Sequence, residues 1–143
     1  PQEWETKLGH HEATLDLYSW NHVNRIYKKF ISENPEYYHY PLVGCQWFTA
    51  AHIDHYVARP NNVRMLVYGP LDNIHEYYWV TQKRGSLQKG QNALYITTSH
   101  YYIPPNERLI NYFNGYKLLY QAPVYRNNKI VEFAFIYKME GFK

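Results

Sequence analysis

Three short apolar runs, residues 40–45, 63–68 and 93–97, constrain this chain more than any other feature. Each is bounded by Pro or Gly, each is too short for a helix, and each is continuously apolar instead of alternating. Strands of that kind are buried on both faces, as in a parallel sheet. Between them lie stretches with helical spacing. Phe48, Ala51, His52 and Tyr56 recur at three- and four-residue intervals until Arg59-Pro60, and Trp20, Val23, Tyr27 and Phe30 form one apolar face that Asn34-Pro35 stops. Asp16 and Ser19 are the candidate N-caps of that first helix. Pro104-Pro105-Asn106-Glu107 is expected to open a further helix carrying Leu109, Ile110 and Phe113, with Asn114-Gly115 closing it.

The C-terminal end follows another period. Residues 116–125 and 130–138 flank Arg126-Asn127-Asn128-Lys129, and two Asn residues tolerate the positive φ of a tight hairpin turn. Val131, Phe133, Phe135 and Tyr137 alternate with Ile130, Glu132, Ala134 and Lys138, so the aromatic set is expected on the core and the mixed set outside. The predicted fold class is therefore α/β: a small three-layer sandwich with a mostly parallel sheet and a C-terminal antiparallel β-hairpin. A length of 143 residues suits one domain. It is expected over 16–143, after a polar lead-in over 1–15 whose large apolar anchor is Trp4.

Composition narrows the function classes. Seventeen Tyr, six Phe and four Trp give an unusual density of rings, most with a polar atom suited to half-buried positions and wet interfaces. The formal charge of +3 is small, and Lys28-Lys29, Lys83-Arg84 and Arg126–Lys129 are dispersed, so no nucleic-acid partner is expected. One cysteine, Cys45, rules out an internal disulfide, and at the end of an apolar strand it reads as structural. No run approaches the ~20 apolar residues of a membrane span. The chain begins at Pro1 without a Met and reads as a piece of something longer.

No reaction centre is assembled by spacing alone. His52 and His55 flank Asp54 at i and i+3, two ligands short of a closed zinc site, and His10-His11-Glu12 is weaker still. The sheet is Rossmann-like in its expected order of elements. Even so, Val43-Gly44-Cys45-Gln46-Trp47 sets bulky side chains where a dinucleotide needs close backbone approach. Neither a cofactor nor a metal is expected, and no catalytic residue is assigned. The best candidate contact surface is residues 72–84, which follow a strand end where open α/β sheets collect ligands. Glu76, Tyr77, Tyr78, Trp79, Lys83 and Arg84 lie there, and Trp47 ends the first strand nearby. The plainer reading makes Tyr77 and Trp79 core anchors.

Four segments taken in order carry a family resemblance: Asp16-Leu17-Tyr18-Ser19-Trp20, residues 43–56, Asn73-Ile74-His75-Glu76-Tyr77-Tyr78-Trp79, and residues 89–96. Their order and spacing resemble the soluble C-terminal domain of bacterial family 39 glycosyltransferases. Those are membrane enzymes similar to dolichyl-phosphate-mannose protein mannosyltransferases and to aminoarabinose transferases. Ser19 stands where the family often has Gly, Trp47 where it commonly has Tyr, and His55 where it commonly has Phe. The resemblance implies a non-catalytic extracytoplasmic domain on the periplasmic face of the inner membrane. Its parent enzyme would use a polyprenyl-phosphate-linked sugar, and the reacting acid would lie in a membrane part outside these residues. The implied partners are the transmembrane portion of the same chain and a glycan or lipid-linked sugar. Two alternatives stand beside it: a free-standing carbohydrate-binding module built on the rings, and a small soluble enzyme using His52 and Asp54.

Overall fold

The computed structural model describes residues 13–143, with side chains placed from Ser19 onward. Helix α1 (Ala13–Glu33) is followed by β1 (Leu42–Gly44), α2 (Trp47–Ile53), β2 (Met65–Val67), a short α3 (Leu71–Ile74), α4 (Tyr77–Arg84) and β3 (Ala93–Thr98). Two long strands, β4 (Phe113–Arg126) and β5 (Lys129–Phe142), complete one five-stranded sheet in the order β2-β1-β3-β5-β4. Residues 1–12, which hold Trp4 and His10-His11-Glu12 of the expected lead-in, lie outside the described residues.

The expected Rossmann-like, mostly parallel three-layer sandwich is not what forms. Strand β1 pairs parallel with β2 and β3, but the ladders of β5 with β3 and with β4 are antiparallel and supply most of the sheet. The physical reason is strand length. β1 and β2 are three residues each, whereas β4 and β5 are fourteen each. Counting apolar runs weights a three-residue strand as heavily as a fourteen-residue one.

The second helical layer is missing for a related reason. Residues 104–112 make turns and one 3₁₀ turn (Leu109–Asn111) in place of the expected helix. The Tyr95 hydroxyl donates to the Ile103 carbonyl, and the Lys143 amide donates to the Tyr112 carbonyl. Phe113 is already paired with Phe142 in the sheet. Only about two helical turns would fit between those tethers, too few to form without a strong packing face.

Both faces of the sheet are nevertheless covered, with strict period two. Leu42, Met65, Val67, Leu94 and Ile96 pack with Trp20, Val23, Tyr27 and Phe30 of α1 and with Ala50 and Ile53 of α2. Val43, Cys45, Leu66, Tyr68, Ala93 and Tyr95 point to the opposite face. There the cover is Leu87 and Leu109 from outside the sheet, with Phe113 of β4 and Tyr137 and Met139 of β5. Gly44 permits the close approach of α2. A Cβ there would sit 2.8 Å from the Met65 methyl and 3.2 Å from the Ala50 Cβ.

The chain departs from expectation at three further points. Helix α1 already runs from Ala13, so Asp16 and Ser19 are interior and neither caps it. In β5 the face carrying Glu132, Ala134 and Ile136 is buried under α1, while Val131, Phe133 and Phe135 are only half-buried. A one-sided alternation rule does not apply to a sheet covered on both sides. Finally, α2 continues into a wider π-helical turn (Asp54–Ala58) and a 3₁₀ turn (Arg59–Asn61) before it ends.

The two sheet edges are protected by different devices. β4 carries Lys117, Pro123 and irregular register near Leu119 and Val124, all of which discourage further pairing. β2 is covered by α4. The Val67 amide donates to Thr81 Oγ1 at 2.8 Å, Thr81 Oγ1 donates to the Val67 carbonyl at 3.2 Å, and Arg84 Nη1 donates to the Met65 carbonyl at 2.9 Å. Side chains thus take the place of a neighbouring strand. Thr81→Val keeps the shape but strands a buried amide, so urea unfolding is expected to show a loss of about 1–3 kcal/mol.

Burial also fixes the alkaline behaviour. The phenols of Tyr27, Tyr77, Tyr95 and Tyr137 are all pushed above the ordinary tyrosine range, in each case chiefly by burial. The unfolded chain releases these protons near pH ~10 while the folded chain retains them. Above that pH the unfolded state binds fewer protons, so stability falls as pH rises, and it is undiminished by this effect below it. Denaturant midpoints measured from neutral to strongly alkaline pH are expected to stay level and then drop with the onset of phenolate absorbance.

Candidate functional site

Residues 72–84 do follow a strand end, and the chain there turns twice. α3 ends at His75, whose amide donates to the Leu71 carbonyl at 2.7 Å and whose backbone takes φ 49° and ψ −129°. A non-glycine residue in that region stores about 1–3 kcal/mol of strain and persists only where its surroundings enforce it. The kink brings the His75 imidazole edge-on to Trp47, with ring centroids 5.5 Å apart at 85°. It also resets the direction of α4, so that Tyr77 faces inward and Tyr78 and Trp79 face out.

The seven candidate residues accordingly divide. Tyr77 and Arg84 turn into the protein and meet on one carboxylate. Asp54, only 2% exposed, accepts the Tyr77 hydroxyl at 2.9 Å and Arg84 Nη2 at 2.9 Å on Oδ2, while Arg59 Nε stands 3.6 Å from Oδ1. Burial first, and then the Asp54 charge, push the Tyr77 phenol well above its ordinary value. It therefore remains a neutral donor. Glu76, Tyr78, Trp79 and Lys83 are exposed, and Trp47 is 40% exposed. Trp79, at 64%, is the most exposed large apolar side chain described. Its ring stands perpendicular to that of Tyr78, 4.8 Å away. No ring contact joins Trp47 to Trp79.

Asp54 enters the sequence reading only beside its histidines, as their spacer and as a partner of His52 in the small-enzyme alternative, and its burial is not anticipated there. A signal was present. Ala50, Ile53 and Val57 surround it at helical spacing, so an acid on that face is buried and requires cations. The two histidines themselves part company. His52 Nδ1 lies 2.8 Å from the Phe48 carbonyl, and its ring stacks between Trp20 at 5.1 Å and Tyr56 at 6.3 Å, whereas His55 is exposed. Among the described residues no group of three His, Cys, Asp or Glu side chains is placed to hold a metal ion.

Glu132 and Cys45 are also buried. Glu132 Oε2 lies 2.8 Å from His100 Nδ1, and the neighbouring Ser99 Oγ accepts the Phe133 amide, so the segment leaving β3 is tied to β5. Cys45 lies 3.9 Å from the Tyr95 hydroxyl, and burial raises its thiol pKa, the opposite of what a nucleophile needs. The surface is thus a rim of outward rings and mixed charges set on an ion-paired base.

That base is testable without a ligand. Asp54→Asn leaves two guanidiniums facing a neutral amide and is expected to lower stability by about 3–5 kcal/mol. Tyr77→Phe removes one hydrogen bond to a charged group and is expected to remove about 1.5–3 kcal/mol. Trp79→Ala should stay within ~0.5 kcal/mol, as for other exposed positions. Equilibrium denaturation of the three variants checks the order.

No family model, curated protein or solved structure matches this chain.

Proposed function

We propose that this chain is a non-catalytic recognition domain on the extracytoplasmic face of a membrane glycosyltransferase that draws on a polyprenyl-phosphate-linked sugar. Its part there is to recognise the acceptor or to cover the membrane active site. The reading begins from the four ordered segments that resemble the C-terminal domain of family 39 enzymes. One structural observation supports it: those segments interlock. Trp20 of the first stacks on His52 of the second, Asp54 of the second holds Tyr77 of the third, and Trp47 of the second meets His75 of the third. The fourth segment runs into β3, where Tyr95 pairs with Val43 of the second. Residues that mark the resemblance thus build one joint, and that joint presents Trp47, Tyr78 and Trp79 to solvent.

The ring geometry bears on the choice between this reading and a free-standing carbohydrate-binding module. A stacking platform for a glycan needs neighbouring rings in one plane, whereas Tyr78 and Trp79 are at 90° and Trp47 is edge-on to its own neighbour. Crossed amphipathic rings beside Glu76 and Lys83 suit a mixed polar and apolar partner surface better than a sugar face.

The test uses the full-length protein in native membranes, with a polyprenyl-phosphate-linked sugar as donor. Trp79→Ala paired with Tyr78→Ala is expected to raise the acceptor KM by about tenfold, the loss of ~1.4 kcal/mol of binding. The donor KM is expected to hold. If the gene upstream of these residues encodes no series of apolar spans, or if sugar transfer does not depend on the lipid-linked donor, the proposal is lost.

A further inference from the structure

The parallel strands have a second end, and it differs in chemistry from the aromatic one. Where the chain enters β1 and β2, Tyr38, His39 and Pro41 face Asn62, Val63 and Arg64 across a cavity of about 120 Å³. Its walls are held by the backbone. The Leu42 amide donates to the Arg64 carbonyl at 2.8 Å, the Val63 amide to the Ala58 carbonyl at 3.0 Å, and the Tyr38 amide to the Pro35 carbonyl at 3.1 Å. Asn62 completes the turn in the left-handed conformation, with φ 56°.

The polar side chains of this cavity, those of Tyr38, His39, Asn62 and Arg64, are exposed, so their donors open to the solvent. Arg64 Nη1 donates to the Gly85 carbonyl at 2.6 Å and is 3.4 Å from the Arg84 carbonyl, which fixes the guanidinium without neutralising it. Among the described residues no carboxylate lies within ion-pair distance of Arg64, and its Nη2 and Nε have no acceptor; Glu36, on the preceding turn, makes no ion pair with it. Nearby, Arg84 and Arg59 share the single carboxylate of Asp54. Tyr38 adds a hydroxyl, Asn62 an amide and His39 an imidazole, none of them spent on a hydrogen bond within the protein.

From this arrangement we infer that the cavity between the starts of β1 and β2 is a binding site for a phosphate-type oxyanion, with Arg64 as the fixed charge and Tyr38, His39 and Asn62 as further donors. A cation is disfavoured, because none of the six lining residues is acidic. The cavity, about 120 Å³, has room for a phosphate-sized group. The group arrives either as a soluble phosphate or as the headgroup of an anionic lipid, and the chemistry of the site is the same for both.

Two parallel titrations of the 143-residue protein test the assignment. In the first, inorganic phosphate is added while amide and guanidinium resonances are followed. Saturable shifts at Tyr38, His39, Asn62 and Arg64 are expected. In the second, co-sedimentation compares phosphatidylglycerol vesicles with phosphatidylcholine vesicles. Preference for the anionic vesicles identifies a headgroup as the source, and response to phosphate alone identifies a soluble one. In whichever arm binds, Arg64→Gln is expected to lower affinity at least tenfold, and Tyr38→Phe several-fold at an exposed position that leaves the fold intact. Gly85→Ala keeps every charge. It puts a Cβ 3.3 Å from Arg64 Nη1 at a residue with φ 95°, so it too is expected to weaken binding by displacing the guanidinium. No saturable response in either arm, or a response unchanged in both Arg64→Gln and Tyr38→Phe, overturns the assignment.

Discussion

One buried carboxylate organises the half of the molecule that carries the outward rings. Asp54 sits where the helix after β1 widens into a π turn, and its three partners come from three places: Tyr77 and Arg84 from the two ends of α4, and Arg59 from the turn that leads to β2. An isolated charge so buried would be prohibitive, and attraction to a single cation seldom repays the loss of water. Here a hydroxyl and two guanidiniums meet the two oxygens. Arg84 then reaches past Asp54 to the Met65 carbonyl, so the same side chain that neutralises the acid also covers the open edge of the sheet. α4 cannot rotate about its axis without breaking the ion pair or the edge contact. That is why Tyr78 and Trp79 face outward at a defined angle, and why the strained His75 can be held against Trp47.

What could be read from the residues follows what each signal measures. The face Trp20, Val23, Tyr27 and Phe30 was legible because a long amphipathic helix repeats its signal several times, and all four side chains are buried. The hairpin turn was legible because Asn127 and Asn128 both take positive φ, at 51° and 64°, which few residues tolerate. The balance of the sheet was not. Apolar runs mark where β1, β2 and β3 lie but not how far a strand extends, and the two fourteen-residue hairpin strands outweigh the three-residue β1 and β2. The expected helix at residues 104–113 failed for a different reason: Leu109 and Phe113 are both buried at helical spacing, but tethers distant in sequence claim the backbone on either side.

The candidate surface was legible in position and not in detail. Strand order alone puts Trp47 and residues 72–84 near each other, because β1 and β2 are parallel neighbours and both segments leave their carboxyl ends. Which rings face out is decided by His75, and no local rule assigns its φ. The role of Asp54 depends on Arg84, thirty residues away, and a single sequence shows a buried acid without showing its cation.

The two ends of the parallel strands are therefore not equivalent. At the carboxyl ends the exposed groups are rings, with the carboxylates of Asp72 and Glu76 beside them. At the amino ends Arg64 stands free of acid, and the surplus of Arg59 and Arg84 over Asp54 adds to its field. The asymmetry has a common origin. Holding α4 against β2 takes Arg84, and closing the turn between α2 and β2 brings Arg59 to the same carboxylate. The ion-paired joint that aims the rings at one end thus leaves uncompensated positive charge toward the other. The two ends of one sheet therefore expose different chemistry, rings at one and a guanidinium at the other.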